Sequence, residues 1–398
     1  MAKAKTKQDI SEDKAKLKTI IAQLEKNYGK GILQTIYGPL PPQRFSRQVP
    51  SGSISLDIAM GPMYRHPNGV WQTGYPPGRI IEVFGDEGTG KSTMCMQLVA
   101  NAQALGIRCA YGDMEHAVDP DYAKALGVDL SRLQLYQPAS GTQCLQITEV
   151  LLKSGMFGLI IVDSVASLIT DAELAGEVGD KFVGEQARLM SSSLKSMNTH
   201  MSGGAQTTLV FTNQIREKIG VTYGSNKTTP GGRALKFYAS MRIELYRVSQ
   251  LKEGENVYGQ RVCAHIIKNK CSPPFRKAEF DLVFGKGIDY VADLFDLCVG
   301  RGLIIASGSW YALGKEQLGQ GRQNAVEVIR RDLPRCYELY DKLLTLVLAE
   351  RGYNTDGTEI PGMHIPDSAP KTVATTFQPV TPQPGPEEIE VPELPLPA

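Results

Sequence analysis

Residues Gly85 to Thr93 read GDEGTGKST and follow the apolar run Ile80, Ile81, Val83, Phe84. Gly85, Gly90, Lys91 and Ser92 meet the pattern G-x-x-x-x-G-K-[ST], set between a buried-strand run and a helical stretch at 91–105 whose apolar face includes Leu98, Val99 and Ala102. A loop of this kind holds phosphate for physical reasons. Glycines let the backbone amides turn inward, while the helix N-terminus and Lys91 add positive charge. The Ser92 hydroxyl is placed to ligate Mg²⁺. The expected nucleotide-binding set is therefore Gly85, Asp86, Glu87, Gly88, Thr89, Gly90, Lys91, Ser92 and Thr93.

Ligands of open α/β sheets lie beyond the carboxyl ends of the strands, so polar residues at such ends are the next candidates. LIIVDS ends on Asp163, from which a carboxylate holds a Mg²⁺ shell through water or simply caps a turn. AYGDME ends on Asp113 and Glu115, which share one face of an extended strand; Glu115 is a candidate to polarise a water, or part of a solvated acidic turn. VFTNQ ends on Asn213 and Gln214, amides that either sense a terminal phosphate or satisfy the strand end.

The segment after Gln214, IREKIGVTYGSNKTTPGGRALKF, is too polar for a core and too long for a tight turn. Arg216, Lys218, Lys227 and Arg233 supply charge, Gly231 and Gly232 expose amides, and Ile219 and Tyr223 supply apolar or stacking surface. That mix suits an unstacked nucleic-acid strand, and equally a solvated loop. A second glycine-bearing loop, 173–184, is acidic and weaker as a binder; the helix after it carries Arg188 and Lys195 two turns apart, spaced for phosphate contacts. Lys268 and Lys270 alternate to one side of a strand end, which marks a solvated edge or a phosphate contact, in cis or across a subunit boundary.

Strand runs are expected at 79–84, 108–114, 159–164, 207–213, 241–248 and 261–268, the early ones separated by helical stretches such as 91–105 and 182–200. This order implies βαβ units and a largely parallel sheet. An amphipathic helix is expected from Ser11 to Gly31, packing on its own domain or on a neighbouring subunit. Past Ile288 short amphipathic segments read as a small, mainly helical second domain, and the Pro-rich acidic stretch after Gly352 reads as disordered. Over 398 residues, 42% hydrophobic content is enough for a full core, and a net charge of +1 gives no global attraction to polyanions. Seven cysteines show no CxxC spacing, and no segment has the length of a membrane span, so a reduced, cytoplasmic protein is expected.

GDEGTGKST, DMEHAVDPDYAKALGVD, LIIVDSVASL, FTNQIREKIGV, GGRALKFYAS and KNKCSPPF together closely resemble the bacterial RecA recombinase family, from about residue 12 to 350. The resemblance implies an α/β fold with a RecA-like P-loop ATPase core and a small α+β C-terminal domain. It divides the chain at 1–52 (N-terminal helix and strand for subunit packing), 53–289 (core), 290–352 (C-terminal domain) and 353–398 (tail). It implies an ATP- and Mg²⁺-dependent protein that forms helical homo-oligomeric filaments on single-stranded DNA, pairs it with duplex DNA and exchanges strands, in DNA repair and the response to DNA damage. By the same resemblance Glu115 is the base for hydrolysis, Gln214 the γ-phosphate sensor, and Asp119 and Tyr122 contact the adenine side. Lys268 and Lys270 reach the ATP of the adjoining protomer, 173–184 and 215–233 are DNA-binding loops with Val183 and Ile219 as wedges, and Phe237 is a subunit contact. The 61–78 stretch, Arg233 beside the glycine pair, and the Pro-rich tail depart from the family pattern. Two rivals share the nucleotide site: an ATP-gated DNA-coating filament that does not exchange strands, and a hexameric motor of the wider ATPase class.

Overall fold

The structure, a computed structural model, describes residues 18–20, 22–23, 26–27, 48–61, 64–65, 71–177, 184–202, 206–217 and 227–351. In chain order the main elements are α1 (Ile54–Met60), β1 (Ile80–Gly85), α2 (Lys91–Ala104), β2 (Cys109–Asp113), α3 (Pro120–Ala125), β3 (Leu133–Tyr136), α4 (Gly141–Ser154), β4 (Leu159–Asp163), α5 (Asp171–Ala175), α6 (Glu185–Ser202), β5 (Thr208–Gln214), α7 (Ala234–Tyr238), β6 (Met241–Glu253), β7 (Asn256–Asn269), β8 (Lys277–Val283) and β9 (Gly287–Ile288). The C-terminal region adds α8 (Tyr290–Gly300), β10 (Ile305–Ser307), β11 (Trp310–Leu313), β12 (Glu316–Gln320), α9 (Arg322–Arg330) and α10 (Leu333–Glu350).

Among the described residues one nine-stranded sheet has the order β9-β8-β7-β6-β1-β5-β4-β2-β3. From β6 to β3 neighbouring strands are parallel, and β7, β8 and β9 are added antiparallel. The two-residue side-chain period divides each central strand between two apolar layers. Ile81 and Val83 of β1, Ile161 of β4 and Val210 of β5 pack with Leu98 and Val99 of α2. Ile80, Ile160, Val162, Leu209 and Phe211 pack on the other face with Leu145 of α4 and Met190, Leu194 and Met197 of α6. Because both faces are covered, the strands read as continuous apolar runs rather than as alternations. Each fully buried aliphatic side chain contributes about 2 kcal/mol by transfer from water.

The expected strands and the helix at 91–105 are present within a residue or two, except that β6 and β7 run longer, into a hairpin closed at Gly254, where φ is +61°. Pattern reading missed β3, β8 and β9. β3 is a half-exposed edge strand without a hydrophobic run, and β9 is too short to carry a pattern. The C-terminal region, expected to be mainly helical, instead carries at 305–320 a three-stranded antiparallel sheet whose strands are only three to five residues long, packed among helices. The region is α+β, as the family resemblance implies, and its core joins Phe295, Leu318, Ile329, Leu339 and Leu343 to Ile54 of α1.

This region is tied to the main sheet by charge. Arg261 of β7 pairs with Asp281 at 3.0 Å and with Asp296 of α8 at 2.9 Å, and Arg322 of α9 meets the same two carboxylates at 2.8 and 2.7 Å. Of the expected N-terminal helix, residues 18–20, 22–23 and 26–27 are helical and exposed; the rest of that helix and the tail from 352 onward lie outside the described residues.

Candidate nucleotide and DNA site

The phosphate loop leaves β1 at Gly85 and enters α2 at Lys91. A Cβ on Gly85 would lie 2.3 Å from the Leu245 carbonyl oxygen, so the strand-to-loop turn accepts only glycine. Gly90, at φ +91°, caps α2 without any side-chain acceptor, so the first helical amides stay open to an incoming anion. Lys91 Nζ donates to the Gly85 and Asp86 carbonyls at 3.1 and 2.8 Å. Burial holds its pKa below the ordinary lysine value, opposed by Asp163, Glu115 and Asp86. Ser92 is exposed at the first turn, and Thr93 Oγ1 lies 2.8 Å from the hydroxyl of Tyr122 on α3. Asp119 caps α3, accepting from the amides of Asp121 and Tyr122.

Register carries the other strand ends to this loop. Gly85 is the ladder partner of Gln214 on β5, and the Ile215 amide donates to the Gly85 carbonyl at 3.3 Å. Across β4, Asp113 is the ladder partner of Asp163. Both Asp163 oxygens are engaged, one by Thr212 Oγ1 at 2.5 Å and one by Tyr111 Oη at 2.6 Å. Each carboxylate oxygen keeps a second lone pair, which fits contact with a metal's water shell rather than direct ligation. Among the described residues no cluster of three or more His, Cys, Asp or Glu has the makings of an all-protein metal cage.

Glu115 stands exposed just past β2. Its Oε1 accepts from Ser164 Oγ at 2.5 Å, Ser167 Oγ at 3.3 Å and Gln214 Nε2 at 3.3 Å. β2 ends at Asp113 and Glu115 lies in the bend beyond it, so the expected shared face of one extended strand is not formed. Asp113 is used structurally: it accepts the amides of Glu115, Ala117 and Val118 and the side chain of Gln137. Asn213 likewise proves to be a satisfied amide, donating to Glu82 and to the Pro230 carbonyl. Sequence reading missed Glu82, a buried carboxylate inside β1 that also pairs with Arg242 at 2.5 Å. A lone Glu in an apolar strand run is the signal that could have found it, since a buried charge requires a partner.

The returning arm of the 215–233 segment is fixed at several points. Gln186 Oε1 accepts the Gly231 amide at 3.1 Å while its Nε2 holds the carbonyls of Val165 and Leu168. Gly231 and Gly232 take φ of +81° and +75°, and a Cβ on Gly232 would lie 2.7 Å from Ala187 Cβ, beside Arg188. Arg188 and Lys195 are exposed on α6, Arg216 is exposed at the start of the segment and Arg233 at its end. Val183, Lys218, Ile219 and Tyr223 lie outside the described residues. Lys268 and Lys270 are not at the phosphate loop of their own chain. Lys268 opposes Arg242, itself opposite Glu82, three residues before Gly85, so the pair sits toward the other end of the sheet, about 10 Å back along β1. Lys268 Nζ donates to the carbonyls of Lys236 and Phe237 at 2.6 and 3.0 Å, and Phe237 is 70% exposed.

Two family models cover nearly all of the described chain, the RecA N-terminal domain over residues 15–289 and the RecA C-terminal domain over 292–347. The chain belongs to the RecA family. It is 46% identical over 329 residues to Protein RecA of Cutibacterium acnes, covering 83% of this chain and 91% of that one. It is 48% identical over 309 residues to Protein RecA of Mycobacterium avium (strain 104), covering 78% and 85% respectively. Among solved structures it resembles the RadB recombinase, with 21% identity, a TM-score of 0.43, and coverage of 61% of this chain and 99% of that one. As a RecA-family protein the chain is an ATP-dependent recombinase of recombination and repair and a DNA-dependent ATPase. No described helix is long and apolar enough to cross a membrane.

Proposed function

We propose that this RecA-family protein binds ATP and Mg²⁺ at the junction of neighbouring protomers, forms helical filaments on single-stranded DNA in the cytoplasm, and there pairs that strand with duplex DNA and exchanges strands. The observation that carries the reading is the contact between Gln214 and Glu115, since Gln214 is both the ladder partner of Gly85 and the residue that opens the 215–233 segment.

In this reading Lys91 moves from the loop carbonyls to the phosphates, and the open amides of the loop and of α2 hold the anion. Ser92, and Asp163 through water, would hold Mg²⁺, which would supply neutralisation of phosphate charge. Asp119 and Tyr122 stand on the adenine side. The three donors on Glu115 all meet Oε1, which orients the carboxylate so that the proton of an attacking water passes to Oε2. Gln214 has two amide hydrogens; one is on Glu115 and the second serves a γ-phosphate oxygen. Phosphate loss then alters the start of the 215–233 segment, loosening its grip on DNA.

Arg188, Lys195, Arg216 and Arg233, with the amides of Gly231 and Gly232, contact the DNA backbone. Val183 and Ile219 wedge between bases, and Lys218 adds a phosphate contact. Lys268 and Lys270, remote from their own loop, reach the nucleotide of the adjoining protomer, with Phe237 in the same interface. The functional division follows: 53–289 carries the ATPase core, 290–352 the small C-terminal domain, and 1–52 subunit packing.

The deciding experiment follows a labelled strand into homologous duplex with ATP and Mg²⁺ present. Transfer is expected; filaments without transfer would leave only a coating role. Equal affinity for an oligonucleotide with and without a nonhydrolysable ATP analogue would overturn the coupling itself.

A further inference from the structure

Three carbonyls of the phosphate loop are held by side chains. Those of Gly85 and Asp86 accept from Lys91 and Thr89, which belong to the loop and its helix. The Gly88 carbonyl is held from another strand: Gln260 Nε2 on β7 donates to it at 2.8 Å. Gln260 is buried, 4% exposed, in the ladder opposite Leu282 of β8 and Gln250 of β6, so its side chain cannot wander. A Cβ built on Gly90 would lie 2.6 Å from Leu282 Cδ1 and 3.8 Å from Gln260 Nε2, which places the β7–β8 wall directly against the loop's second glycine.

Gly88 lies in a turn and meets no wall on its Cβ side. Its φ is +70° and nothing lies within 4 Å of where a Cβ would stand. A glycine in open space turns its following peptide plane at little cost. Within one trans peptide the carbonyl and the next amide point in opposite directions. Holding the Gly88 carbonyl against β7 therefore fixes the plane of the Gly88–Thr89 peptide and turns the Thr89 N–H away from β7. If that peptide turned over, the loop would present an oxygen in place of a donor to an anion.

We infer that Gln260 is a positioning residue for nucleotide binding, which acts by locking the Gly88–Thr89 peptide in its anion-binding orientation. The inference rests on the nucleotide reading of this loop. It is distinct from the motif itself, because Gln260 lies 172 positions away in sequence and meets the loop through the Gly88 carbonyl. Since the locked amide serves ground state and transition state alike, losing it weakens nucleotide binding without slowing chemistry on bound nucleotide.

The test measures a fluorescent ATP analogue binding without DNA, and DNA-stimulated ATP hydrolysis, in the full chain. Gln260→Ala is expected to bind the analogue about tenfold more weakly and to raise KM by the same factor, with kcat within about twofold. Gln260→Glu keeps the shape but loses the donor while ionised. It is expected to bind more weakly still while ionised and to regain affinity as falling pH protonates the carboxyl, which then donates again. Wild-type affinity in a folded Gln260→Ala overturns the proposal. If that variant does not fold, the Glu variant decides alone, and a pH profile parallel to wild type overturns the proposal. Failure of the wild-type chain to bind the analogue would instead overturn the nucleotide reading beneath it.

Discussion

Gln214 Nε2 donates to Glu115 Oε1 across 3.3 Å, joining two residues 99 positions apart in the chain. One ends β5 beside Gly85, and the other follows β2, which lies on the far side of β4. Ser164 and Ser167, just past β4, complete the ring around the same oxygen.

Glu115→Gln separates geometry from chemistry. A glutamine oxygen still accepts from Ser164 and Gln214, so nucleotide-dependent DNA binding is expected to persist, while ATP hydrolysis falls by about 10²-fold or more for want of a base. Phosphate release with and without single-stranded DNA, and filament counts by electron microscopy, measure the two halves. Normal hydrolysis would remove Glu115 from its role.

Gln214→Glu sets a second carboxylate against Glu115. The repulsion is expected to break the contact and displace Ile215 at the start of the 215–233 segment, so that ATP no longer raises affinity for single-stranded DNA, although nucleotide still binds. Oligonucleotide anisotropy titrations with and without a nonhydrolysable analogue read this directly.

Lys270 separates cis from trans. It is exposed and belongs to the strand end away from its own phosphate loop. Lys270→Ala is expected to leave analogue binding to dilute, unassembled protein unchanged while lowering DNA-stimulated turnover by 10-fold or more. Mixing it with Lys91→Ala should regain activity only at junctions where an intact loop faces an intact lysine. No loss in the single variant would place the lysines outside the nucleotide site.

Asp57 on α1 and Asp293 on α8 form a buried acidic pair at the joint between the main sheet and the C-terminal region. Burial pushes Asp57 up to about 7 and Asp293 up to about 6, opposed by hydrogen bonds from Ser51 to the first and from Ser53 and Ser55 to the second. A folded-state value above the unfolded one means the stabilising contribution is complete below about pH 4 and is lost as pH rises to about 7. For Asp57 that contribution is roughly 4 kcal/mol at its upper limit. Asp57→Asn keeps the Ser51 contact without the charge. Its Tm relative to wild type is therefore expected to improve from pH 5 to pH 8, and a constant difference across that range would show that Asp57 does not titrate there.

The site was legible in the sequence to the extent that its chemistry is contiguous. GDEGTGKST is readable as a candidate phosphate loop because the loop, the helix terminus and the lysine that would meet a phosphate are neighbours in the chain, and the apolar runs closed by Asp163 and Gln214 mark strand ends. Elements without a strong local pattern were not legible. β3 is half-exposed, β9 has two residues, and the strands between Ile305 and Gln320 are only three to five residues long, so pairing rather than local pattern makes them strands.

The sequence by itself determined which groups are present and which ends of which elements carry them. Strand order and register decided the rest: that Asp113 is occupied by its own turn, that Glu82 lies buried on Arg242 and Asn213, that Gln260 reaches Gly88, and that Lys268 stands away from the loop in its own chain. The physical reason is that a side chain's alternation along a strand depends on its immediate neighbours, whereas the strand lying alongside is selected by burial of both sheet faces at once, a property of the whole chain.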